Sequence, residues 1–346
     1  MELFRRMIDL IETFFYAFHA IAPIVVLLLL GYYIGQKNCF DRHTLKQLST
    51  FSFRFTMCAL MFRNVYELPS IHSLEPNVTI LVITSLIFIT LAGFILAFSI
   101  TKQRNRYGVI IQASFRSNYA VLGMVLAENL CGVTGVSAAV GLQASGIFYY
   151  NIAAVFCLTM FSDQIETQIN MRKIVRQLVT NPMLIGIFAG FCCLITREFI
   201  PRDTSGELVF SLSRDLDFIY SCIENLANMT TPLVLLTLGA QWDFSHMGGM
   251  CKELVACVLM RLAGAPAIGF LTAFVLQYLG VITLTPAFAG ALLGLWGTPM
   301  AVAGAIMAEE MGCDGELARQ CAVWTSVLSM VSLFLWILIL RGAELL

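Results

Sequence analysis

Residues 117–128, SNYAVLGMVLAE, and residues 298–309, TPMAVAGAIMAE, align at a constant offset of 181, with Ala120/Ala301, Val121/Val302, Gly123/Gly304, Ala127/Ala308 and Glu128/Glu309 identical. Each copy opens on a helix interruption, Arg116-Ser117-Asn118 in the first and Gly297-Thr298-Pro299 in the second. Pro299 has no N–H and cannot bond the carbonyl of Leu295, so backbone groups are released there. Half-helices restarting at Tyr119-Ala120-Val121 and Met300-Ala301-Val302 would aim free N–H groups and positive dipole ends at the break, a setting for an anion. Asn118 offers an amide, Ser117 and Thr298 offer hydroxyls, and Arg116 offers a guanidinium able to grip a carboxylate in two places. The predicted substrate-binding residues are Arg116, Ser117, Asn118, Tyr119, Thr298, Pro299 and Met300. Two blander readings compete with this one. A Gly-Thr-Pro sequence also serves as a kink for close packing, and Arg116 can snorkel to an interface, paired with Glu128 or a lipid phosphate.

The elements that must hold these residues lie in lipid. Of 346 residues, 58% are hydrophobic and 12% charged, against roughly a quarter charged in soluble domains. A net charge of -1 supplies no field for nucleic acid. A crossing needs roughly 17 to 25 mostly uncharged residues. Uncharged stretches run over 13–36, 76–101, 129–162, 177–196, 225–242, 262–308 and 320–340. The 262–308 stretch divides near Gly280 and Pro286, its first part entering at about residue 254. Two more apolar segments, 46–64 and 107–128, are interrupted by Arg54 and by Arg116-Ser117-Asn118. The sum predicts an all-α membrane protein of ten transmembrane helices, with helices 4 and 9 broken.

Residues 1–161 form a first five-helix repeat, 162–176 a central loop with Arg172, Lys173 and Arg176, and 177–346 a second repeat. Five is odd, so the repeats run in opposite senses, a transporter signature. Pro23-x7-Gly31 and Pro182-x7-Gly190 echo the repeat at the starts of helices 1 and 6. Counting Lys and Arg in alternate connections gives 11 against 7. That bias predicts a cytoplasmic central loop and outer termini, although Arg5 and Arg6 argue the other way. The N-terminal stretch reads as an uncleaved first span of a multi-pass plasma (inner) membrane protein, since Pro23 is followed by bulky residues and no small-x-small cleavage site.

Other polar residues are candidates for coupling or for a polar cavity. Glu224, Asn228 and Thr231 form a stripe on helix 7, and Glu224 is either a proton carrier or a headgroup-level acid. Arg54 and Arg261 are expected to pair with acids across the bundle. Gln143, Ser145 and Asn151 are expected to complete a cavity or to glue helices. The 11 cysteines contain no C-x-x-C, and His19, His43, His72 and His246 are not spaced as a metal pair on one helix face. No metal, cofactor or disulfide framework is predicted. No phosphate loop is present, so transport is secondary or uncoupled, with Na+, H+, exchange and membrane potential all open as drives.

Four segments together resemble the auxin efflux carrier family, whose bacterial members look like malate permeases: SFRSNYAVLGMVLAENLCG, NPMLIGIFAG, NLANMTTPLVLLTLGAQ and TPMAVAGAIMAEEMGCDGELARQCAVWTSVLS. The resemblance covers nearly the whole chain. It implies two inverted five-helix repeats similar to bile-acid/sodium symporters, with helices 4 and 9 crossing and Asn118 and the Pro299 segment contacting a substrate carboxylate. The expected function is secondary transport of a small mono- or dicarboxylate such as malate by alternating access. The alternative is an anion channel, or a uniporter with an auxin-like carboxylate. A homodimer is among the assemblies this allows, and a membrane enzyme is disfavoured because no nucleophile, base or metal constellation is present. Val125 and Cys58 stand where the family often has prolines. A straighter second half of helix 4 is therefore expected, and helix 2 contacts are not carried over.

Overall fold

A computed structural model describes residues 18, 21–68, 70, 75–163, 175–176, 179–202, 208–243 and 247–346. The start of the first span with Arg5 and Arg6, and the central loop with Arg172 and Lys173, lie outside these. Proline and a capping side chain set several helix starts, as its fixed φ suits the first turn. Asn181 accepts the Met183 N–H ahead of Pro182, and Thr285 accepts the Phe288 N–H ahead of Pro286. Asp314 caps the last helix through the Leu317 N–H.

The first helix, α1, spans Ile21–Gln36. α2 (Arg42–Phe51) runs through a π-helical turn (Ser52–Thr56) into α3 (Met57–Tyr66). α4 is Pro76–Ile100, α5 Arg104–Phe115, and α6 Met124–Phe161. α7 is Pro182–Phe199, α8 Leu212–Asp215 and α9 Asp217–Ala240. α10 (Cys251–Leu259) continues through a π turn (Met260–Gly264) into α11 (Ala265–Tyr278). α12 (Pro286–Gly297), α13 (Ala303–Glu310) and α14 (Gly315–Gly342) complete the chain.

The protein is all-helical, and among the described residues the only β pairing is two isolated bridges. Five helices are long and apolar enough to cross a membrane: Pro76–Ile100, Met124–Phe161, Pro182–Phe199, Cys251–Tyr278 and Gly315–Gly342. The other predicted spans fall short one by one for a physical reason. α5, α12 and α13 are halves of interrupted helices, and α2, α3 and α9 carry charged residues. α6 is itself two helices, divided at Gly132 (φ 60°), a backbone region that glycine enters without cost. The expected straight second half of helix 4 is corrected here. It begins as a π turn over Tyr119–Gly123 and is cut off by the Gly132 kink.

Two layers result. α1, α2, α3, α7 and α9 pack together, and α4, α5, α6 and α10 to α14 form the other group. Within the first layer glycine lets backbones touch. A Cβ on Gly31 would sit 2.4 Å from the Leu236 carbonyl oxygen of α9, and one on Gly186 would sit 2.3 Å from that of Cys58 in α3. The two glycines of the Pro-x7-Gly echo thus do matching work, Gly31 of α1 against α9 and Gly190 of α7 against the Phe62 carbonyl of α3.

Gly239 faces the Leu28 carbonyl, where an added Cβ would come within 2.2 Å, whereas Gly141 has open space. Gly239→Ala is expected to lower the thermal unfolding midpoint of detergent-solubilised protein by several degrees, since overpacking costs about 1–3 kcal/mol. Gly141→Ala is expected to leave it unchanged or raise it slightly. Equal midpoints for the two variants would contradict the close α1–α9 approach.

Candidate functional site: a crossing of two broken helices

α5 ends at Phe115 and the chain becomes extended at Arg116; α12 ends at Gly297 and becomes extended at Thr298. The two extended segments meet. Ser117 and Met300 form an antiparallel bridge, flanked by Asn118 N–H to Pro299 O at 2.8 Å and Ala301 N–H to Arg116 O at 3.0 Å. The strand-like pairing satisfies backbone groups that would otherwise be stranded in an apolar interior. It also explains why proline is tolerated at 299. In an antiparallel ladder residues 118 and 299 would exchange two bonds, and the one proline cannot donate is replaced by Leu122 N–H reaching Asn118 O at 3.0 Å.

The bridge takes some of the donors that simple dipole counting leaves free. Met300 N–H is taken by Thr325 Oγ1 at 3.1 Å and Ala301 N–H by Arg116 O. The amides of Tyr119, Ala120, Val302 and Ala303 have no hydrogen-bond partner among the described residues. The repeated glycines also acquire a reason. Gly123, at the start of one second half, lies against Gly294 of α12, and Gly304, at the start of the other, lies against Gln112 of α5. Each copy thus leans on the first half of the opposite broken helix. Gln112 seals the second contact by donating to Gly304 O at 3.0 Å.

Arg261, fully buried, donates to Ser114 O at 2.9 Å and to Trp296 O. Those carbonyls lie at the C-terminal ends of α5 and α12, the negative ends of both first-half dipoles. The expectation that Arg261 pairs with an acid is corrected, because two helix ends share its charge. Arg54 is corrected too. It lies on the outward side of the π turn, exposed and without an ion pair among the described residues.

Beside the crossing lies a cavity of about 220 Å³, below the roughly 300–1,000 Å³ of pockets for drug-sized ligands. Its walls are Arg116 to Ala120, Ala301 to Ala303, and Gln143, Ile147, Tyr150 and Asn151 from the second layer. The first layer contributes Leu60, Met61, Arg63 and Asn64 of α3, and Ala227, Asn228, Thr230, Thr231 and Val234 of α9. Arg116 is 4% exposed. It donates to Asn151 Oδ1 at 3.0 Å and to the Met307 sulfur at 2.8 Å, a neutral amide and a weak acceptor. No carboxylate is near, so the snorkelling and Glu128 alternatives do not hold, Glu128 being exposed elsewhere. Asn118 Nδ2 and Gln143 Oε1 line the cavity buried without a hydrogen bond, and Ser117 Oγ and Tyr150 Oη face each other there without reaching full hydrogen-bond geometry. Leaving such groups unpaired costs about 1–3 kcal/mol each.

Of the residues singled out from sequence, Arg116, Ser117, Asn118, Tyr119, Gln143, Asn151, Asn228 and Thr231 line this cavity. Thr298, Pro299 and Met300 do not; Met300 and Pro299 pair with the backbone of the lining residues Ser117 and Asn118, and Thr298 Oγ1 is turned to Gly294 O at 2.9 Å. Tyr119 donates its hydroxyl to Ala139 O at 2.8 Å. Glu224 is exposed and outside the cavity. Arg63 and Tyr150 escaped sequence reading. Arg63 falls in the last turn of its helix, where a basic residue is ordinary, and Tyr150, between Tyr149 and the already noted Asn151, carries no spacing of its own to mark it.

The model of the membrane transport protein family (Mem_trans) matches residues 16–337, and the chain belongs to that family. A search of curated proteins gives no match. The family is one of transporters, and the chain is a multi-pass membrane protein.

Arg261→Leu removes the shared donor of Ser114 O and Trp296 O. Its expected cost is about 3 kcal/mol or more, read as a large fall in the unfolding midpoint, with Arg261→Lys falling less. A wild-type midpoint for Arg261→Leu would contradict the bracing role.

Proposed function

We propose that the chain is a secondary transporter of small organic anions, with carboxylates such as malate as the substrate class, working by alternating access. The observation that carries this reading is Arg116, a buried guanidinium without a carboxylate, set among unpartnered polar atoms beside the crossing. A desolvated cation without a counter-charge is costly, and a carboxylate in the cavity would supply the charge while accepting from Asn118, Ser117 and Tyr150.

The reading extends to architecture. The ten crossings are α1, α2–α3, α4, the broken pair beginning with α5, the long part of α6, α7, α9, α10–α11, the broken pair α12 and α13, and α14. The offset of 181 pairs Asn118 with Pro299, the same two residues that hydrogen-bond at the crossing. A pseudo-twofold axis through that pair, relating residues 1–161 to 177–346, accounts for both facts. The plasma membrane, a cytoplasmic central loop, and Na+ or H+ as coupling ion belong to this proposal as sequence expectations.

Alternating access draws support from contacts between the layers. About 20 Å along α9 from Asn228, Gln241, held to Ser49 of its own layer at 3.2 Å, accepts from Arg319 of the other at 3.2 Å. Thr50 donates to Glu310 at 2.7 Å and Trp242 to Gln320 at 3.0 Å. These polar contacts join the layers at one end, while exposed Asn228 and half-exposed Arg63 border the cavity at the other. Hydrogen bonds between mobile bodies are exchangeable for water at modest net cost, as a gate requires.

Proteoliposome uptake of labelled malate, malonate, lactate and indole-3-acetate, with and without sodium and proton gradients, tests the proposal. Saturable uptake of at least one carboxylate is expected, and Asn118→Ala is expected to abolish it while leaving folded, monodisperse protein. Flux linear in concentration, or normal uptake by Asn118→Ala, would contradict the carrier and its site respectively.

A further inference from the structure

The cavity walls hold two arginines and no acidic residue. Arg116 comes from the crossing in one layer, and Arg63 comes from α3 in the other. Arg63 donates to Asn228, which holds it at the cavity edge, and its Nε has no hydrogen bond. Its nearest acid, Glu67, is 3.9 Å away and half-exposed on the same helix, an i,i+4 pair of the kind that contributes little. A lining with two positive charges and none negative is compensated by one carboxylate at Arg116 only in part. A monoanion leaves Arg63 with an amide oxygen and a solvated carboxylate 3.9 Å from its Nε. An anion with two carboxylates supplies both sites.

Resting on the carboxylate reading of the same cavity, we infer that Arg63 receives the second carboxylate of a dicarboxylate whose first carboxylate is held at Arg116, so that Arg63 determines selectivity for dicarboxylates over monocarboxylates. The second carboxylate takes up the free Nε and a terminal N–H in the two-point geometry that guanidinium favours. Asn228 is then a positioning residue, presenting Arg63 from α9. Because the arginines belong to different layers, a two-headed anion bridges the layers and a one-headed anion does not.

The experiment compares uptake of labelled malate and labelled lactate by wild-type protein and by Arg63→Gln and Arg63→Lys in proteoliposomes, with the folded fraction of each variant measured by size exclusion. Wild type is expected to prefer malate, and Arg63→Gln to lower the malate-to-lactate ratio by about tenfold, the equivalent of one lost charge-assisted bond. Arg63→Lys keeps the charge and is expected to fall between the two. The ratio is insensitive to partial loss of folded protein, since both substrates are carried by the same molecules. Equal handling of malate and lactate by wild type would overturn this inference while leaving the carboxylate reading intact, as would an unchanged ratio in Arg63→Gln. Uptake of neither anion would overturn the carboxylate reading, and this inference with it.

Discussion

Two backbone hydrogen bonds, Asn118 N–H to Pro299 O and Ala301 N–H to Arg116 O, fix where two helices may stop in an apolar interior. An extended segment surrounded by lipid-like side chains has no water to turn to. Here each interrupted helix supplies the partner of the other. Every other feature of the site is a consequence. The bridge orients Arg116 toward Asn151 and leaves Ser117 and Asn118 on the cavity side, and it sets the C-terminal ends of α5 and α12 close enough for one guanidinium, Arg261, to serve both. Gly294 and Gly304 admit the close approach of the opposite half-helices, and Gly123 makes room for the Tyr119 ring.

The charges around this point are divided by task. Arg261 spends its donors on carbonyls and is a structural counter-charge to two dipoles. Arg116 spends its donors on an amide and a thioether, leaving a net positive charge that the fold does not answer. Burial of that kind costs stability, a cost that the proposed anion would offset. At the boundary the accounting differs. Arg106 at the start of α5 meets Glu253 at 2.8 Å and Asp314 at 2.9 Å, so the ends of α5, α10 and α14 are tied by a compensated cluster.

Much of this was legible in residue order, and the limits are physical. The break positions follow from Arg116-Ser117-Asn118 and Gly297-Thr298-Pro299, which no apolar helix tolerates without a partner. That the partner of each is the other was not legible, because hydrogen bonding between segments 181 residues apart leaves no local signal. Hence free amides were expected over Met300-Ala301-Val302, whereas the bridge and Thr325 take those of Ala301 and Met300 and leave Val302 and, one residue further on, Ala303; in the other copy Tyr119 and Ala120 are free as expected. Charge inside a span was a poor guide to burial. Arg54 turns outward on a π turn, Glu224 is exposed, and Arg63, which the sequence reading did not single out, lines the cavity. Which way a residue faces depends on helix rotation, and the π turn in the helix from Arg42 to Tyr66 alters that rotation.

The pairing itself is open to direct measurement in the membrane. Ser117 and Met300 stand opposite each other in the bridge, where Cα atoms of antiparallel partners lie about 4.5–5.5 Å apart, within the range of about 4.4–6.8 Å that a disulfide spans. Cysteines placed at both positions, oxidised in intact membranes and mapped by mass spectrometry, are predicted to yield a 117–300 disulfide in high proportion, above any pairing with native thiols. Absence of that cross-link in folded protein would mean that the two interrupted helices do not meet, and the account of the site would fall with it.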